Sequence, residues 1–244
     1  MQKPALMNIA VDFGNTIAKV GIFEHEILAR SLFFKTAADL KVFLGSQPTE
    51  NIIVSSVSHP ANEVLSWSTA TALRIALTAQ TPFPVKIVYK TPATLGVDRI
   101  AAVCGALDHS PGEDCLVIDA GTCITFEFLD ADGVYHGGAI SPGLQMRFRA
   151  MHEFTARLPL VTSSITAPFI GDSTETCMQS GVSNGMKAEV DGIVSRYRHQ
   201  YPDVKILLCG GDAHFFENPS NGIIFMPELV LKGLNRILLH QIDH

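Results

Sequence analysis

Residues 8–23 read NIAVDFGNTIAKVGIF and residues 115–129 read CLVIDAGTCITFEFL, so one device occurs twice. Each copy is an apolar, strand-like run ending in an aspartate, followed by a glycine-containing turn with a threonine and a second β-rich run. Asp12-Phe13-Gly14-Asn15-Thr16 and Asp119-Ala120-Gly121-Thr122 therefore read as the same hairpin used near the start of each half. A lone copy is good hairpin-turn chemistry and nothing more. Recurrence in matching strand context points to phosphate. Glycine lets the backbone approach a ligand closely, turn N–H groups form an anion nest, threonine adds a hydroxyl, and aspartate holds a divalent cation through oxygen. Two such hairpins facing each other across a cleft can hold a nucleotide triphosphate from both sides, which points to phosphoryl transfer or nucleotide hydrolysis.

The order of elements agrees with a duplication. Strand-like runs fall near 8–12, 17–23, 27–34, 52–57 and 85–89. Apolar spacing predicts helices over 37–44, 61–79 and 99–107. The polar stretch HSPGED at 109–114 is the linker candidate. Strands then restart near 115–119, 123–129 and 134–140, followed by a helix after Pro142, a long helix over 173–200, a strand at 204–209 and a last helix at 228–241. This order predicts an α/β protein of two ribonuclease-H-like domains in tandem, residues 1–112 and 113–244, with an ATP cleft between them. The last helix is a candidate to pack back on the first domain. Residues 1–6 read as an extension ahead of the first strand.

Composition narrows the function classes. The 244 residues carry a formal net charge of −6 without a Lys/Arg cluster, and readers of nucleic-acid backbones are normally basic. No apolar run approaches the roughly 18 residues that span a membrane, and the amino end reaches Asp12 too soon for a secretory signal. Five cysteines, odd in number and without C-x-x-C spacing, suggest neither a disulfide framework nor a zinc site. A reducing cytoplasm is the expected compartment. The nine histidines show no metal spacing.

With these motifs in view, the chain resembles the type III pantothenate kinases, in the superfamily of actin, sugar kinases, acetate kinase and chaperone ATPases. The first phosphate motif matches Asp12–Thr16, with Lys19 and Gly21. The substrate motif matches Thr91-Pro92-Ala93-Thr94-Leu95-Gly96-Val97-Asp98-Arg99, which is the specific segment. Asp119–Thr122 with Thr125 matches the second phosphate motif, Gly137–Leu144 and Ala156–Pro159 follow, and Gly210-Gly211-Asp212 falls where an adenosine motif belongs. Where the family often has aspartate after Thr125, this chain has Glu127, and an acid that usually follows the Leu-Pro run is lacking at Leu160-Val161-Thr162.

The resemblance implies ATP-dependent phosphorylation of pantothenate to 4′-phosphopantothenate, the first step towards coenzyme A, with a non-catalytic nucleotide-binding regulator or another phosphotransferase as rivals. It assigns Asp98 as the base, and Tyr89, Gly96, Asp98, Arg99 and Thr174 as substrate contacts. ATP falls to Asp12, Gly14, Asn15, Thr16, Lys19, Gly121, Thr122, Gly210 and Gly211. Mg²⁺ falls to Asp12, directly or through water, and a monovalent cation, K⁺ or NH₄⁺, to Asp119. A homodimer is implied, with neither nucleic acid nor membrane as partner. Structural alternatives stand beside these roles: a helix N-cap for Asp98, core for Tyr89, a cap for Thr174 with Asp172 and Ser173 as rivals, surface for Lys19, and a strand-end turn for Gly210-Gly211.

Overall fold

The computed structural model describes residues 7–163, 167–216 and 222–243; the extension read at residues 1–6 lies outside them. The chain forms two compact units. The first comprises Met1–Gly112, Leu129–His136 and Glu228–His244; the second comprises Glu113–Phe128 and Gly137–Pro227.

In the first unit, β1 (Asn8–Phe13), β2 (Ala18–Glu24), β3 (Ile27–Phe34), β4 (Asn51–Ser56) and β5 (Arg74–Ala76) form one sheet in the order β3-β2-β1-β4-β5. The β1–β2 and β2–β3 pairs are antiparallel, and β4 and β5 add in parallel. Strand alternation sends Ile9, Val11, Val20, Ile52 and Val54 to one face, where they pack with Leu40 and Leu44. Those two leucines belong to α1 (Ala37–Ser46), whose first turn is capped by Thr36 Oγ1 accepting from Asp39 N at 3.1 Å.

The opposite face carries α6 (Leu229–Ile242), which packs on β1, β2 and β4 and on α3 (Val97–His109). Three buried asparagines tie it down. Asn51 Nδ2 donates to Asn8 Oδ1 at 2.9 Å, Asn8 Nδ2 to Asn235 Oδ1 at 3.4 Å, and Asn235 Nδ2 to the His25 carbonyl at 2.8 Å. Contact between the two helices depends on Gly233, since a Cβ there would lie 1.7 Å from the Ala101 carbonyl oxygen. A short β6 (Lys86–Ile87) pairs in parallel with Val134 and Tyr135.

The helix expected over 61–79 is a correction. Only α2 (Ala61–Ser66) is helical, and 74–76 is a strand. Leu73, Ile75 and Leu77 alternate at period two, which suits a strand extending the open edge of β4. Ile52 N donates to Leu73 O and Leu77 N to Val54 O, both at 2.9 Å. The Arg74 guanidinium bonds the carbonyls of Ala70 and Ser68 at 2.9–3.0 Å and holds the intervening turn.

The second sheet, with β7 (Cys115–Ala120), β8 (Cys123–Leu129), β9 (Val134–Pro142), β10 (Lys205–Cys209) and β11 (Ile223–Phe225), follows the order β11-β10-β7-β8-β9-β6, and all of it but β6, Leu129 and Val134–His136 belongs to the second unit. Both β10 pairings are parallel. This is the plan of the first sheet again, three strands joined by short turns and two added in parallel. The strand β11 was not anticipated from the sequence. The core gathers Leu116, Ile118, Ile124 and Phe126 with Met186 and Val190. The last two belong to α5 (Thr174–Gln200), while α4 (Leu144–Glu153) precedes it.

Candidate functional site

The first turn is closed by Gly14 N donating to Ile17 O at 3.2 Å, which leaves Asn15 and Thr16 exposed at its tip. Strand alternation puts Asp12 on the face opposite the Val11 and Phe13 side, together with Lys19 and Ser55, its ladder partners on β2 and β4. Lys19, Asp12 and Ser55 thus form one row across three strands. Lys19 is half-buried rather than free on the surface.

The segment after β4 is bonded to this turn, and sequence reasoning missed it. Ser58 Oγ donates to Gly14 O at 2.9 Å, Val57 N donates to Phe13 O at 3.2 Å, and the His59 ring stacks on Phe13 with centroids 4.5 Å apart. Ser56 Oγ donates to His59 O at 2.7 Å and accepts from His59 N at 3.1 Å. Two buried polar atoms here, Ser55 Oγ and His59 Nδ1, find no hydrogen-bond partner among the described residues. The signal that could have found them was the serine cluster SSVSH that ends a buried strand and runs on past it.

The second turn is one residue tighter: Gly121 N donates to Cys123 O at 2.9 Å, with Thr122 alone at its tip. The two turns are therefore related and not identical. The glycine loop after β10 comes to this turn. Asp212 N donates to Ala120 O at 2.8 Å, and Gly210 has φ of 99°. A Cβ at Gly210 would lie 2.3 Å from Ala120 O, so both its conformation and its contact demand glycine. Asp119, Gly121, Thr122, Gly210 and Gly211 thus converge on one end of β7. Burial pushes the Asp212 carboxyl above its ordinary range, with His214 opposing that shift. Glu127 is fully buried in β8.

Asp98 and Arg99 lie in the first turn of α3, and the N-cap position falls to Gly96, which makes no side-chain capping bond. Asp98 Oδ1 accepts from Arg99 N at 2.9 Å, so the carboxylate sits against the positive end of the helix. The Arg99 guanidinium stands 6.0 Å from the Tyr89 ring centroid, and the position a Gly96 Cβ would take lies 2.5 Å from Asp98 Oδ1. Tyr89, Gly96, Asp98 and Arg99 form one cluster in the first unit. Thr174 belongs to the second unit. It is the exposed first residue of α5, whose cap is Ser173 in a reciprocal pair with Thr176. Thr174 lines a cavity of about 610 Å³ with Arg147, Met151, Leu158, Cys177 and Met178. The Arg147 guanidinium there is held by Ser141 Oγ, the Pro142 carbonyl and Glu189.

Two sheets of one strand plan, each with a glycine-threonine turn directly after an aspartate on its first strand, define the class: the fold of actin, sugar kinases and chaperone ATPases. A Campylobacter jejuni structure described as a Baf family transcriptional activator shares that fold, with a TM-score of 0.64 at 22% identity over 97% of this chain and all of its own. The type III pantothenate kinase family model matches residues 8–196. A type III pantothenate kinase of Bacteroides fragilis is 43% identical over 236 residues, covering 95% of this chain and 97% of its own length. One from Phocaeicola vulgatus is 44% identical over 236 residues, with coverages of 95% and 98%. The chain belongs to the type III pantothenate kinase family.

Proposed function

We propose that this protein phosphorylates the primary hydroxyl of pantothenate with ATP, giving 4′-phosphopantothenate and ADP. The observation that carries the reading is the cluster of Asp98, Arg99 and Tyr89 at the α3 N-terminus, in a chain whose relatives of over 40% identity are named type III pantothenate kinases. Asp98 accepts the hydroxyl proton as the hydroxyl oxygen bonds the γ-phosphorus and the bond from that phosphorus to the ADP oxygen breaks. Arg99 grips the substrate carboxylate through its planar fork, with Tyr89 and Thr174 as further contacts. Gly14, Asn15, Thr16, Lys19, Gly121 and Thr122 meet the phosphates, so that charge building on the transferred group faces preset dipoles. Gly210 and Gly211 offer bare backbone to the adenosine.

Among the described residues no three His, Cys, Asp or Glu side chains gather as a metal cluster. One carboxylate, Asp12, fits Mg²⁺, an ion that takes one or two protein carboxylates and completes its shell with phosphate oxygens and water. Bound there, it neutralises phosphate charge. Asp119 takes a monovalent cation, K⁺ or NH₄⁺. A homodimer is supported by exposed apolar side chains on the second unit, among them Phe154, Phe169 and Ile170 at 86%, 86% and 81% exposure. No described helix is long and apolar enough to cross a membrane, and a reducing cytoplasm suits five cysteines that form no disulfide among the described residues.

The test is turnover of the purified protein with pantothenate, ATP, Mg²⁺ and K⁺, with the product identified by mass. Phosphopantothenate formed in proportion to enzyme is the expected result. ATP binding without that product would overturn the kinase reading in favour of a nucleotide-binding regulator.

A further inference from the structure

Ser55 is the last buried residue of β4 and fully inaccessible, and its hydroxyl has no hydrogen-bond partner among the described residues. Leaving a buried hydroxyl unpaired costs stability that an alanine at that position would avoid. The same face takes apolar side chains elsewhere, as at Ala10 and Ile53, both fully buried. Packing alone therefore gives no reason for a hydroxyl at 55.

Position supplies one. Ser55 is the parallel ladder partner of Asp12, so both side chains leave the same face from strands about 4.8 Å apart. The loop that follows Ser55 is bonded to the Asp12 turn through Ser58 and stacked on it through His59. Ser55 and Asp12 are thus tied together by the strand ladder and by the loop that follows Ser55. The second unit offers an internal comparison: the residue paired with Asp119 at the equivalent point is Cys209. A thiol is a weak donor where a hydroxyl is a strong one. The duplication is broken at this position, with serine on the parallel neighbour of Asp12 and cysteine on that of Asp119.

We propose that Ser55 is a positioning residue for the Asp12 cation site, its hydroxyl donating to the Asp12 carboxylate when that group turns to a divalent cation bound with nucleotide. This rests on the nucleotide-binding reading of the first turn. It assigns the two aspartates to different ions by the residue standing beside each.

Calorimetric titration of ATP, with and without Mg²⁺, into wild type, Ser55→Ala and Ser55→Cys tests it, alongside thermal unfolding of all three. Ser55→Ala should melt no lower than wild type. Its nucleotide binding should need about tenfold more Mg²⁺ for half-saturation, the loss of one hydrogen bond to a charged group, while Mg²⁺-free ATP affinity stays unchanged. Ser55→Cys should show the same rise, since it preserves shape and loses the strong donor, and it carries the readout if Ser55→Ala does not fold. Unchanged Mg²⁺ dependence in the variants overturns the proposal. Equal weakening with and without Mg²⁺ also overturns it, because the effect would then belong to the turn. Wild type that fails to bind MgATP would instead sink the nucleotide reading itself.

Discussion

At the residue scale, one carboxylic acid beside the second glycine-threonine turn, Asp212, is marked by burial. Asp212 N anchors the glycine loop to the β7 strand end, and burial raises the carboxyl of the same residue above its ordinary value. A carboxyl whose folded pKa is raised favours the fold while protonated, and that advantage is lost as pH rises through the folded value. Asp212→Asn should therefore raise the melting temperature at pH 7, with the gain shrinking as pH falls into the carboxylate range. Melting curves across that range check it; a gain that grew on acidification would contradict the sign. The Asp98–Arg99 pair and the two glycine-threonine turns were legible in sequence because each joins unusual residue types within a few positions. Ser55 and His59 were not, since their significance depends on a neighbouring strand more than 40 residues away.

At the element scale, hydrophobic periodicity recovered most strands and helices but misread 61–79. The period-two pattern of Leu73, Ile75 and Leu77 was short, and the pairing that decides it lies with β4. The brief β11 was missed for the same reason, its partner being β10. The closing helix α6 is fixed by Asn235, which bonds Asn8 and the His25 carbonyl in the buried end of the sheet. Asn235→Ala should cost about 1–3 kcal/mol by stranding those groups. Urea unfolding measures it, and a loss below about 0.5 kcal/mol, the scale of an indifferent surface change, would show that the asparagine chain contributes little.

At the scale of the whole molecule, duplication was the most legible property, because each copy announces itself by one strand, one aspartate and one turn. The clustering of residues 129–136 with the first unit could not be read that way, since it follows from Lys86 and Ile87 pairing with Val134 and Tyr135. The copies have diverged in turn length and in the neighbour of each aspartate, Ser55 against Cys209. On the proposed assignment of a monovalent cation to Asp119, replacing K⁺ by Na⁺ should lower turnover. A rate flat in K⁺ from nominally zero, with ammonium excluded, would remove the monovalent site from Asp119.

The central claim is that Asp98 takes the proton of the pantothenate hydroxyl during phosphoryl transfer. Its most direct test compares wild type with Asp98→Asn for phosphopantothenate formation, with folding and ATP affinity measured on the same samples. The expected result is a folded variant with unchanged ATP affinity and turnover lower by about 10²–10⁴-fold, the usual worth of a general base. A folded Asp98→Asn protein that keeps more than about half of wild-type turnover would contradict it and require another base.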